Sequence, residues 1–281
     1  MTQGTIVAER PVFEIAIESV DLASEVRVND IPVLRLPGGA VRSSFDVNPY
    51  VMTGTNTLSL LVRPNGGGES FGAVARATVA LRRRPSPESK ERETLATLVF
   101  EGPGGDVAHG FERSPGYATE TPPLVRRLGL GASQSFELQT PFPPWFFVNA
   151  PMFTRTEALR TELLDAYRRI HALLRARDIG GLLAASALQA RDFQAAYYLT
   201  GIAEAHRLLG VAAILGDTDV VAEDFPDAAL DVEILAGGRL AQLVDQDGKG
   251  PLRLSVKSAS AMAGRFNCVL ARAAGGLAIA R

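Results

Sequence analysis

Short runs in which apolar and polar residues alternate fill the first half of the chain, and the second half opens on a long stretch with apolar residues at helical spacing. In the span 12–18, Phe13, Ile15 and Ile17 share one face and Glu14 and Glu18 the other, the period of a half-buried strand. Val26 and Val28 alternate with Glu25 and Arg27 and lead into Asn29-Asp30, two residues that accept positive φ at a hairpin tip, followed by a return strand over 31–36. Pro32 cannot donate to a ladder, so the return strand belongs at a sheet edge or starts with an irregularity, and Gly38-Gly39 ends it. Phe45 and Val47 alternate with Asp46, Asn48-Pro49 forces a turn, and beyond Gly54 the residues Leu58, Leu60 and Val62 alternate with Thr57, Ser59 and Leu61. Further strands are predicted at 73–81, 94–100 and 135–138, with Gly66-Gly67-Gly68 as a hairpin end.

Two connections interrupt this pattern. The mixed-charge, proline-punctuated run 82–93, headed by three arginines, reads as a solvated link rather than an anion site. The span 101–123 has no periodicity, and a loop of that length is commonly functional, which makes His109, Phe111 and Tyr117 candidate ligand-binding residues. The proline- and aromatic-rich stretch 141–147 marks the boundary between two predicted domains, 1–145 and 146–281. Within it Trp145 is either a buried plug or a stacking platform for a sugar.

Thr154 and Glu157 have the spacing of a capping box, and Leu159, Leu163, Tyr167, Ile170 and Leu174 line one face of the helix that follows, ending near Arg177. Gly180-Gly181 permits a bend before a short helix over 182–189 and a longer one over 191–209, with Phe193, Ala196, Tyr197 and Leu208 inward. Strands follow at 230–235, 239–244, 252–256, 265–271 and 277–281, and Asp247-Gly248 signals a hairpin between the second and third of these. Asp245 and Asp247 open like a calcium loop, but the position of the terminal glutamate falls on Val256. The fold class read from this order is α+β in two domains: an antiparallel, jelly-roll-like β-sandwich, then helices followed by an antiparallel sheet.

The hairpin tip Asn29-Asp30, the phrase from Phe45 to Val51, and Gly54, Asn56 and Leu58 together resemble the galactose-binding-like jelly roll that accompanies the catalytic barrels of family 2 glycoside hydrolases. The resemblance covers about forty residues and implies turn-closing roles for Asp46, Asn48 and Asn56; no eight-fold strand-helix barrel follows. The second half is similar in element order to the cystatin-like or nuclear-transport-factor-2-like fold.

With 46% hydrophobic and 21% charged residues among 281, the chain has the composition of a globular protein with a sizeable core. A formal net charge of -2 argues against a general electrostatic grip on nucleic acid. Only three of the 29 basic residues are lysines, Lys90, Lys249 and Lys257, a bias given no functional weight. Cys268 is the sole cysteine and reads as a small buried hydrophobe in a strand. His109, His171 and His206 are the only histidines, no two of them at helical ligand spacing, and neither a nucleophile elbow nor a phosphate-binding glycine loop is present. No metal or cofactor is called for. The absence of an apolar leader in 1–10 and of a membrane-length apolar run gives a cytoplasmic expectation.

Three functions remain. A non-catalytic binding protein would recognise a carbohydrate or a protein through the sandwich, with the second domain binding a ligand or pairing with itself as a homodimer. A hydrolase or isomerase would instead use a cone between helices and sheet, with Asp192 or Asp178 beside Tyr197 or His171 for acid-base work. A bacterial adaptor or toxin-neutralising role is a third reading that no residue selects. The balance falls on binding, with His109, Phe111, Tyr117, Trp145, His171, Asp192 and Tyr197 as candidate ligand contacts and no catalytic residue assigned.

Overall fold

The computed structural model describes residues 9–103, 110–111, 129–226, 230–257 and 261–281, with the side chains of 261–263 left aside. The chain divides between Pro143 and Pro144 into two compact units. The first contains β1 (Val12–Val20), β2 (Leu22–Val28), β3 (Ile31–Leu36), β4 (Val41–Asp46), β5 (Gly54–Pro64), β6 (Arg76–Arg84), β7 (Glu93–Glu101) and β8 (Leu130–Leu138). They form two four-stranded antiparallel sheets, ordered β4-β1-β6-β7 and β3-β2-β5-β8. Each sheet buries one face: Phe13, Ile15, Ile17, Val79, Leu81, Leu98 and Phe100 from the first, Val26, Leu58, Leu60 and Val62 from the second. Each such side chain contributes roughly 1.5–3 kcal/mol on burial.

The β2–β3 hairpin turns at Asn29 and Asp30, with φ of 53° and 63°, as the tip composition requires. Pro32 lies on the edge strand β3 opposite Arg27, next to a register shift at Val26/Arg27. The tip is clamped from the side. The Asn29 amide donates to the Tyr50 carbonyl at 2.8 Å and its oxygen accepts the Thr57 N–H at 2.9 Å. Asn48, fully buried, accepts the Phe13 N–H at 2.7 Å and donates to the Pro11 carbonyl at 3.1 Å, fixing the turn against the start of β1.

Two expectations shift in this unit. Gly66-Gly67-Gly68 is not a hairpin end, since β5 and β6 enter different sheets. The strand placed at 73–81 runs instead from Arg76 to Arg84, so the three arginines extend β6 rather than open a solvated link. Carboxylates explain the extension: Arg83 meets Glu9 at 2.5 Å and Glu93 at 3.5 Å, and Arg84 meets Asp46 at 3.2 Å. The core of this unit also encloses two polar side chains, Ser19 and Ser24. Both face the core with hydroxyls that have no hydrogen-bond partner among the described residues. An orphaned buried polar group costs about 1–3 kcal/mol, so Ser24→Ala is expected to raise stability by about 1 kcal/mol, read from the denaturant midpoint. A loss of stability would show that the hydroxyl is bonded.

The second unit opens with α1 (Glu157–Ala176), α2 (Ile179–Ala185), α3 (Ala187–Ala196), α4 (Ile202–Leu208) and α5 (Val211–Gly216). Thr156, not Thr154, caps α1 by accepting the Leu159 N–H at 3.1 Å, which places Glu157 in the first turn, where its charge favours the helix dipole. The predicted face of α1 is buried as expected. The single helix expected over 191–209 is broken. Tyr198 takes φ of 55°, and the Thr200 N–H bonds the Glu204 carboxylate at 3.1 Å to restart the helix at Ile202. The break rotates α4, and Leu208, expected inward, is 52% exposed.

The strands β9 (Val220–Ala222), β10 (Asp231–Leu235), β11 (Leu240–Val244), β12 (Arg253–Val256), β13 (Ala261–Arg265), β14 (Leu270–Ala273) and β15 (Gly276–Ile279) form two antiparallel sheets, β10-β11-β14-β15 and β13-β12-β9. The turn at Asp247-Gly248 forms, with the Asp245 carboxylate accepting the N–H groups of Asp247 and Lys249 at 2.9 and 3.0 Å. Yet β11 and β12 enter different sheets, so the expected hairpin is absent. The strand expected over 265–271 is likewise divided, and Cys268 sits in the irregular stretch between β13 and β14. Its carbonyl accepts the Tyr167 hydroxyl at 2.6 Å, and the same hydroxyl accepts the Leu243 N–H at 3.3 Å. Between helices and sheets lies a filled core: Leu163, Tyr167, Ile170, Leu174, Leu182, Val232, Leu243 and Leu270 are all buried in it. Among the described residues no helix is long and apolar enough to cross a membrane.

Candidate functional site

Among the described residues the candidate side chains do not gather into one open site. His109 and Tyr117 lie outside the described residues. Phe111 is a core residue, 3% exposed and set edge-on against Phe100 at 5.3 Å between centroids. His171 uses Nε2 to contact the Glu223 carbonyl at 2.7 Å and rests against the Phe225 ring, fastening α1 to the segment after β9. Tyr197 caps α3 and packs on Phe193. Asp178, weighed beside them, is the N-cap of α2 through the Gly181 N–H at 2.9 Å.

Trp145 and Asp192 do share a cluster, but a closed one. Trp145 is 1% exposed, so it offers no stacking face to a sugar. The Arg281 guanidinium, equally buried, lies over the Trp145 and Phe147 rings at 5.7 and 4.7 Å and pairs with the Asp192 carboxylate at 2.8 Å. The other carboxylate oxygen of Asp192 accepts the Phe146 N–H at 3.3 Å. Burial raises the Asp192 pKa above the ordinary carboxylate value even though Arg281 opposes the shift. This arrangement ties the 3-10 turn Phe146–Asn149 to α3 and to the chain beyond β15.

The other perturbed groups of the second unit are equally occupied. Burial pushes the Cys268 thiol up to about 12, so it stays protonated and is a poor nucleophile at neutral pH. Burial likewise raises the Tyr167 phenol, and the hydroxyl acts as a structural donor. Asp245 goes the other way: its partial burial is outweighed by the bonds from Lys249 N–H and Arg265, which lower its pKa. Among the described residues no three or more histidine, cysteine, aspartate or glutamate side chains are grouped to hold a metal.

Open space with polar side chains is found instead on the sandwich. A groove of about 310 Å³ lies on the outer face of the β4-β1-β6 sheet, lined by Glu18, Arg42, Arg76 and Thr78 with Val20 and Val41. Strand register builds it: Glu18 stands opposite Arg42 on one side and Thr78 on the other, with Val20 opposite Arg76 in the next row. Glu18 and Arg42 form an exposed ion pair at 2.9 Å. Arg76 has no ion-pair partner among the described residues, and its guanidinium is available to a carboxylate or another planar oxyanion. Pattern reading missed these residues because each is an ordinary polar position on the solvent side of a strand; only the register, set over dozens of residues, lines them up. Comparison with known proteins finds no matching family model, no matching curated protein and no matching solved structure. The geometry therefore carries the functional reading alone.

Proposed function

We propose that the chain is a non-catalytic binding protein whose recognition surface is the outer groove of the sandwich, and that its ligand is a protein segment presenting a carboxylate. The observation that carries this reading is the Glu18–Arg42–Arg76–Thr78 groove, whose volume lies at the lower end of small-ligand sites. Its lining contains donors, acceptors and an unengaged guanidinium but no aromatic ring, which favours an acidic peptide over a stacked sugar. The antiparallel sheets around the hairpin tip at Asn29 and the Phe45–Val51 phrase support the resemblance to the galactose-binding-like jelly roll, and with it an accessory, ligand-holding role. The filled layer between helices and sheets in the second unit, together with the structural duties of Asp178, His171, Asp192 and Tyr197, supports binding over acid-base catalysis.

The test is an immobilised panel of acidic peptides alongside a glycan panel, probed with the full chain and with Arg76→Glu. Acidic peptides are expected to bind, and Arg76→Glu to weaken binding by at least about tenfold, the scale of a lost charge-assisted hydrogen bond, with an unchanged melting temperature. Glycan binding that ignores Arg76→Glu would overturn the reading. So would a turnover abolished by replacing Asp192 or Tyr197 in a chain that remains folded.

A further inference from the structure

On the sandwich strands, Glu14 and Glu25 each hold two arginines, one on each carboxylate oxygen. Glu14 meets Arg92 through Oε1 at 3.6 Å and Arg84 through Oε2 at 3.8 Å. Glu25 meets Arg27 through Oε1 and Arg35 through Oε2, each at 2.5 Å. Glu18, on the same face of β1 as Glu14, is filled by half. Arg42 takes its Oε1 at 2.9 Å, no ion pair reaches Oε2 among the described residues, and 62% of the side chain is exposed.

Arg76 is the opposite case. Its directly opposed neighbours are Val20 on β1 and Glu101 on β7, and among the described residues it has no ion pair, with Glu101 or any other carboxylate. The groove therefore offers a ligand one guanidinium and one carboxylate oxygen. Register fixes their spacing: Glu18 and Val20 share a face of β1, and Arg76 stands in the row of Val20, so Glu18 and Arg76 lie in adjacent rows on neighbouring strands. Rows are about 6.8 Å apart, two residues at about 3.4 Å each, and an extended peptide repeats its side chains on one face at the same interval.

On the footing that this groove is the binding surface, we propose that the segment it takes carries an acidic side chain for Arg76 and, two positions away, a basic side chain for Glu18. The basic group gives Glu18 the arrangement of Glu25, with a cation on each oxygen. An acid in its place sets a second carboxylate against Glu18 and has to displace it to reach Arg42. Acid and base on adjacent residues point to opposite faces of an extended peptide, so spacing discriminates as well as charge. Arg76 is the anchor and Glu18 determines specificity.

Fluorescence anisotropy of labelled, end-blocked short peptides with the full chain tests this. The peptides share a threonine-valine background and differ in carrying Glu-x-Arg, Arg-x-Glu, Glu-x-Gln, Glu-x-Glu or adjacent Glu-Arg. The better oriented of Glu-x-Arg and Arg-x-Glu is expected to bind about threefold tighter than Glu-x-Gln, the scale of one exposed ion pair, with adjacent Glu-Arg gaining nothing and Glu-x-Glu weakest. Glu18→Gln is expected to level the acid-base and Glu-x-Gln peptides, and Glu18→Lys to reverse the order and favour Glu-x-Glu. Each comparison is a ratio between peptides for one variant, so a partly unfolded variant leaves it unaltered. Equal binding of the acid-base and Glu-x-Gln peptides by the unaltered chain, or an acid-base preference that survives Glu18→Lys, overturns the pairing at Glu18; the groove reading then stands if Arg76→Glu still weakens every peptide. Peptide binding indifferent to Arg76→Glu overturns the groove reading itself, and absence of binding by all five peptides overturns both.

Discussion

Asp192→Ala is expected to destabilise the folded chain by about 3–5 kcal/mol, because it leaves the Arg281 guanidinium buried with its counter-charge removed. Two charges taken out of water recover their desolvation only through each other and through added hydrogen bonds. Here those bonds are the Phe146 N–H on Asp192 and the Ala280 carbonyl on Arg281. The paired replacement Asp192→Leu with Arg281→Met removes both charges at similar volume, and should restore most of the stability lost in the single variant. Denaturant unfolding of the unaltered chain, Asp192→Leu, Arg281→Met and the double variant measures the coupling; additive effects would contradict a paired, desolvated cluster.

The same pair has a signed pH dependence. Because the folded-state pKa of Asp192 lies above the unfolded one, the native chain binds the proton first as pH falls. This group's contribution therefore grows more favourable below its folded pKa and declines as pH rises through it. Asp192→Asn is expected to flatten that part of the stability profile.

Asn56→Ala is expected to cost about 3 kcal/mol or more, since it orphans several buried groups at once. Its side-chain oxygen accepts the Asn29 amide at 2.8 Å and the Met52 N–H at 2.9 Å, and its amide donates to the Met52 and Gly54 carbonyls at 2.7 and 2.9 Å. Every hydrogen-bonding position of the side chain is filled, and the residue is fully buried. Asn56→Asp is nearly isosteric yet turns an oxygen toward the two carbonyls, so it should be at least as damaging as alanine at neutral pH. If Asn56→Asp proved mild, the geometry around Met52 and Gly54 would be contradicted. The effect should appear as lost stability, with peptide binding by the remaining folded fraction unchanged.

These two sites mark where sequence reading succeeds and where it stops. Asn29 and the Asn48-Pro49 turn were legible because turn chemistry is local: positive φ at a two-residue tip and a proline-fixed turn both act within a short span of chain, whereas Asn56 stood out only through the resemblance. The helix face from Leu159 to Leu174 was legible for the same reason. Leu208 was misplaced because a positive φ at Tyr198 breaks a helical pattern that apolar spacing alone lets run on. The link between Asp192 and Arg281 crosses 89 positions and leaves no periodic signal. The groove is harder still. Its residues come from three strands, and the apolar face of β4 is interrupted at Ser43, so alternation announces that strand weakly. No candidate residue taken from pattern or motif lies in it.

The most direct test of the account follows backbone amide shifts of the isotope-labelled full chain during titration with an acidic peptide that binds. Binding in the sandwich groove predicts shifts concentrated at Ser19, Val20, Val41, Arg42, Arg76 and Thr78, and none of comparable size in α1 or α3. Shifts centred on the helices around Tyr167 and Asp192 would contradict it and place recognition in the second unit.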